Sequence, residues 1–128
     1  MMIGTLKNLN FEEDNFYFHD YKIKNISKIK NYMILELGDI SISFIKTINE
    51  TSKNPKNFLK EKYILSFENV EQKYVSFLIK KLNSSLFQVI DSSLKKEKNR
   101  FLVFFKLFDI NNSTFEEIKF LCDSITID

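Results

Sequence analysis

Glycine is almost missing: the 128-residue chain holds only Gly4 and Gly38. Gly-rich phosphate loops and the dinucleotide fingerprint need several glycines for close backbone approach, so both are excluded. The single Cys122 excludes an intramolecular disulfide framework, and with one His it leaves no ligand set for a structural zinc ion. Arginine is represented by Arg100 alone, against eighteen Lys. Nucleic-acid readers use Arg for bidentate contacts, so the composition does not call for a polyanionic partner. No apolar run approaches the ~20 residues of a membrane span, and the first residues show no charged-then-apolar leader pattern. The expectation is a reduced, soluble, cytoplasmic protein with no membrane contact and no cofactor or metal. Residues 1–128 are expected to form one domain with a sizeable core.

What is present is aromatic and aliphatic bulk. There are fourteen Phe and sixteen Ile, but four Val and no Ala or Trp. With the Lys and Asn excess, this is the bias of an A/T-rich genome. Net charge is +2 and evenly spread, with ten basic and eight acidic residues in 1–64 and nine of each in 65–128.

The clearest pattern is Ile29–Ile48, two alternating apolar runs around Gly38-Asp39. Gly at the first central position suits a type II′ turn, so the pattern predicts a hairpin with Leu37 facing Ile40 and Met33 facing Phe44. On its second face Tyr32 meets Ile45 and Ile34 meets Ser43. Upstream, Met2–Leu9 fits a short strand, Glu12-Glu13-Asp14-Asn15 a polar turn, Asn15–Lys24 a strand and Asn25–Lys28 a connection. Asn49–Asn57 reads as a loop, with Asn54-Pro55 able to start one helical turn. Tyr63–Phe67 reads as a strand.

Residues 69–98 divide two ways. Asn69-x-x-Gln72 and Ser85-x-x-Gln88 resemble capping boxes of two helices, whereas the Phe, Val and Ile content of Tyr74–Leu82 and Leu86–Ile90 suits a β-hairpin. Phe101–Phe108 is apolar on both faces, as a central strand is. Ser113-Thr114-Phe115-Glu116 resembles a capping box, and Phe115, Ile118, Leu121, Cys122 and Ile125 follow at helical spacing, predicting a C-terminal helix over 114–124. The expected fold is α+β: an antiparallel meander or partly closed small barrel with that helix over its open side.

Chemistry-bearing clusters are few. His19 lies beside Tyr17 and Tyr21 on an apolar strand face, where a structural histidine is expected, and Cys122 falls on the inner side of the last element. Glu12-Glu13-Asp14 lacks the spaced oxygen ligands of a calcium loop. Lys95, Lys96, Lys98 and Arg100 form the one basic cluster, next to aromatic residues, the composition of a single-strand platform. No residue is assigned a catalytic role. Tyr32, Ile34 and Ile45 form the expected interaction surface, since their face is too apolar for simple exposure.

Asp39-Ile40-Ser41-Ile42-Ser43-Phe44 resembles the Asp-x-Ser-x-x-Gly signature of PilZ domains, small barrels that bind cyclic di-GMP. Arg100–Ile110 followed by a helix is similar to that family's last strand and terminal helix. The resemblance covers residues 29–125 and implies ligand-contacting roles for Asp39 and Ser41. Phe44 replaces the signature Gly and no Arg-x-x-x-Arg exists, so it implies a degenerate member that has lost the dinucleotide. The leading functional expectation is therefore a non-enzymatic adaptor with a protein partner or a second copy of itself. The alternatives are a mobile-element inhibitor of a host defence or regulatory complex, and single-stranded nucleic-acid binding through Lys95–Arg100.

Overall fold

The computed structural model describes residues 16, 18–40 and 60–128. The expected first strand, the acidic turn, the second hairpin arm with Ser41 and Ile45, and the Pro55 loop lie outside the described residues. Among the described residues seven strands and one helix follow in order. They are β1 (Lys22–Ile29), β2 (Tyr32–Gly38), β3 (Tyr63–Glu68), α1 (Gln72–Leu82), β4 (Phe87–Glu97), β5 (Arg100–Asp109), β6 (Thr114–Cys122) and β7 (Ser124–Ile127). All pairings are antiparallel, in the order β6-β5-β4-β1-β2-β3-β7. Among the described residues the sheet is open, and no ladder closes it into a barrel. Its edge strands β6 and β7 are separated by Asp123 alone, so the two edges approach each other at that residue.

The hairpin expected over 29–48 is replaced by one that begins earlier. β2 is paired on both sides, with Leu35 facing Ile26 of β1 and Leu65 of β3. Both edges of β2 are thus taken by β1 and β3. Gly38 is a strand residue opposite Lys22, and the positive φ (56°) falls on Asp39. The true turn is Lys30-Asn31, with Lys30 at φ 55°. The β4–β5 hairpin repeats it: Lys98-Asn99 closes the loop with Lys98 at φ 54°. A lysine held left-handed is strained by about 1–2 kcal/mol. Lys98→Gly is therefore expected to raise stability by about 0.5–1 kcal/mol, read as a higher urea midpoint at unchanged slope.

Both ambiguous segments have a physical explanation. Residues 69–98 give one helix and one strand. Val75, Leu78 and Leu82 form the buried stripe of α1, and Lys80 and Lys81 sit in its last turn, where the dipole favours cations. The Asn69 box does not form: Glu71 is the N-cap without a side-chain bond. Nor does the Ser85 box, because Ser85 bonds Asp109 and Gln88 bonds Asp20. β4 buries Phe87 and Val89, passes a bulge at Ile90, and then buries Ser92 and Leu94. A bulge at Lys24 likewise changes the parity of β1, which buries Ile23 and then Ile26, so residues 25–28 are strand and not a connection. Before it, Phe16, Phe18 and Tyr21 are buried around a turn at His19-Asp20 rather than along a strand.

The C-terminal helix over 114–124 is also corrected. That segment is β6, β7 and the Asp123 joint. Ile118, Phe120 and Cys122 are buried at period two, while Phe115 and Leu121 of the helical stripe are exposed. The terminal helix that the PilZ resemblance includes is thus a strand here. The core joins both halves of the sheet: Phe67 of β3 meets Phe120 of β6 edge-on at 5.0 Å, and Phe16 lies 5.7 Å from Phe105. α1 covers the interior, with Tyr74 packed 6.3 Å from Phe120 and Lys81 bonded to Glu116 at 2.8 Å.

Candidate interaction surface

Alternation on β5 buries Phe101, Val103, Phe105 and Leu107 and turns Leu102, Phe104, Lys106 and Phe108 outward. These are half-buried. The outward row of β6 lies directly beside them: Leu121 faces Leu102, Lys119 faces Phe104, Glu117 faces Lys106 and Phe115 faces Phe108. Phe115 is 62 % exposed and Leu121 38 %, although their neighbours are apolar. The Phe108 and Phe115 rings are 5.1 Å apart, and Lys119 and Lys106 each place an ammonium 5.5 Å from a ring, over Phe104 and Phe115. Among the described residues, β6 pairs on one side only. Its other edge is a row of backbone donors and acceptors that no described strand pairs, bordered by an aromatic and aliphatic face. Such an edge accepts an added strand: main-chain bonds supply affinity and alternate side chains supply selectivity.

Beside this edge, a polar network fixes the joint between β6 and β7. Arg100 Nε donates to Asp123 Oδ1 at 2.9 Å, and its NH2 donates to the Asn69 carbonyl at 2.7 Å. Asn69 Nδ2 donates to Asp123 Oδ2 at 2.8 Å, and the Asp123 N–H donates to the Glu68 carbonyl. Glu68 in turn accepts from Ser124 and Tyr32. Arg100 is thus a structural tie between the sheet's edges. Because the ion pair is well exposed, Arg100→Ala is expected to cost only about 1 kcal/mol, checked by urea unfolding.

The other expected site residues fall apart in space. Lys95, Lys96 and Lys98 are exposed at the tip of the β4–β5 hairpin, while Arg100 is drawn to Asp123. Tyr32 and Ile34 lie half-buried on β2. Ile34 stands between Ser27 and Ser66 of the neighbouring strands, so its face is less apolar than the hairpin reading implied. Asp39 bonds Lys24, whose ammonium holds its carboxyl below the usual range. His19 is half-exposed at 3.1 Å from the Asp20 carboxylate, and Cys122 is buried. A cleft of about 430 Å³ between β1, the end of α1 and Asn111 is lined mainly by neutral Asn and Ser side chains. Among the described residues no group of three or more His, Cys, Asp or Glu could hold a metal ion, and no helix is long and apolar enough to cross a membrane.

Two polar arrangements bear on stability rather than binding. Tyr21 is buried and donates to the Lys60 carbonyl; burial and the neighbouring Tyr63 hold its hydroxyl well above the ordinary range. Asp109 closes the β5–β6 loop. Its carboxylate accepts from Ser85 at 2.5 Å, from the Asn112 side chain at 2.8 Å, and from the Asn111 and Asn112 N–H groups at 3.1 Å. The Ser85 hydroxyl and then the Asn112 amide hold it below the usual carboxylate range. A folded pKa below the unfolded one gives stability that is present above about pH 4 and lost as pH falls through the folded value. Asp109→Asn is expected to flatten that acid-side loss, measured as urea midpoints between about pH 3 and pH 6.

Sequence reasoning missed Phe115 and Leu121 as surface residues because helical spacing assigned both to a core. The available signal was the turn cluster Asn111-Asn112-Ser113 between two apolar runs, a hairpin mark. Compared with protein-family models, curated proteins and solved structures, the chain matches none of them.

Proposed function

We propose that this protein is a non-enzymatic binding module, an adaptor that takes a protein partner onto the open edge of β6 and the apolar face beside it. The carrying observation is Phe115, 62 % exposed beside Phe108 and Lys106 on a strand that is paired on one side only among the described residues. Covering such a side chain is favourable by about 1.5–3 kcal/mol, and the strand's open backbone groups supply direction. The basic hairpin tip is secondary in this reading, since its arginine serves the sheet joint.

A photo-crosslinking side chain placed at Phe115 tests the proposal in cells. The expected result is one discrete adduct, identified by mass spectrometry and lost in the Leu121→Lys background. The same probe at Asn25, exposed on β1, should give none. Equal or absent adducts at both positions would overturn the reading.

A further inference from the structure

We infer that the partner of β6 is a second copy of this chain, joined antiparallel about a two-fold axis at Ile118. The inference rests on β6 being a docking edge and concerns what occupies it. The outward residues of β6 read Phe115, Glu117, Lys119, Leu121: apolar, acidic, basic, apolar. Antiparallel pairing centred on Ile118 sets Glu117 against Lys119 of the second copy, and Lys119 against its Glu117. Phe115 and Leu121 meet in the same reciprocal way, so every outward pair is complementary and the two-fold is satisfied.

The two adjacent same-face registers fail. Centring on Glu117 opposes two carboxylates, and centring on Lys119 opposes two ammonium groups. Any half-step places outward residues against inward ones, which the pleat forbids. Charges on an edge strand commonly prevent association. Here they are arranged so that one register is attractive and its two neighbours are repulsive.

α1 adds an independent element. Tyr74, Phe77 and Lys81 share one helix face, and its ends are tied to β6 by the Tyr74–Phe120 contact and the Lys81–Glu116 bond. Phe77, stacked on Tyr74 and 53 % exposed, therefore lies beside the middle of β6. The axis at Ile118 would bring the two Phe77 side chains to the same seam. A nine-residue seam with these aromatics is at the small end of specific interfaces, below ~1,200 Å². Seams of that size belong with weak, transient associations, and the expected dissociation constant is on the order of tens of micromolar.

Sedimentation velocity of the full chain from roughly 5 to 500 µM tests this, since that range brackets the expected constant. The expected result is a monomer that becomes a dimer with rising concentration. Glu117→Lys and Lys119→Glu should each weaken association at least about tenfold, because each sets like charges opposite one another. The double exchange should recover most of it, and Phe77→Ser should weaken it severalfold. Unchanged urea midpoints would show that the variants fold. A chain monomeric throughout, or a dimer indifferent to both charge reversals, overturns the inference. If it is monomeric while the probe at Phe115 still captures a different protein, the second copy is wrong and the docking edge stands. If the probe also captures nothing, both fail.

Discussion

Phe120→Ala is expected to cost about 3–5 kcal/mol of folding stability, and Leu121→Ala less than about 1 kcal/mol. Phe120 is 5 % exposed, edge-on to Phe67 at 5.0 Å and in contact with Tyr74, so its removal leaves a cavity where β3, β6 and α1 meet. Leu121 stands outward over Leu102, and its loss creates no cavity. The helical spacing of the segment demands the reverse order, because Leu121 and not Phe120 falls on its apolar stripe. Urea unfolding of the two variants decides between strand and helix. For a domain with about 5–15 kcal/mol in hand, the Phe120 variant lies near the limit of folding.

Ser92→Ala is expected to cost about 2–4 kcal/mol, much more than a hydroxyl deletion normally does. The Ser92 hydroxyl accepts from the Phe18 N–H at 3.0 Å and donates to the Phe16 carbonyl at 3.1 Å, and both partners are buried. Removing it orphans a donor and an acceptor in the segment that brings Phe16 against Phe105. The loss is capped by the free energy of detaching that segment, so limited proteolysis before Tyr21 should accelerate along with the fall in midpoint. Ser92→Thr keeps the hydroxyl and should lose much less.

Ser92 faces the core only because the bulge at Ile90 changes the parity of β4. Counted at period two from Phe87 and Val89, the inward positions would be Asp91 and Ser93, a pattern that argues against a buried strand. The bulge at Lys24 has the same effect between Ile23 and Ile26. β3 and β5 have no bulge, and both were legible in the sequence to within one or two residues. The two-residue turns were not legible, because Lys-Asn carries positive φ on a lysine and lacks the expected glycine. The one Gly-Asp pair drew the hairpin to the wrong place.

The candidate surface was hidden for a related reason. In residues 115–122, apolar side chains at 115, 118, 120, 121 and 122 satisfy both a helical stripe and a strand with a second apolar face. Length and composition do not separate the two. Tertiary pairing with β5 does, through nine consecutive residue pairs from Phe101–Cys122 to Asp109–Thr114. An apolar face that would be core on a helix thereby becomes an outer face on a strand. The lysines of the basic cluster stand exposed at the β4–β5 hairpin tip, and Arg100 was not separable from them without the fold.

Amide hydrogen exchange across β6, followed as protein concentration rises, reads both the open edge and its pairing with a second copy. At high dilution alternation is expected: amides bonded to β5 are slow, and those on the open edge between Thr114 and Leu121 are fast. With rising concentration the fast set should become protected, while amides at the β4–β5 hairpin tip stay unchanged. Open-edge amides that remain fast at every concentration would contradict the dimer. Uniform protection of all β6 amides even at dilution would contradict the open edge itself.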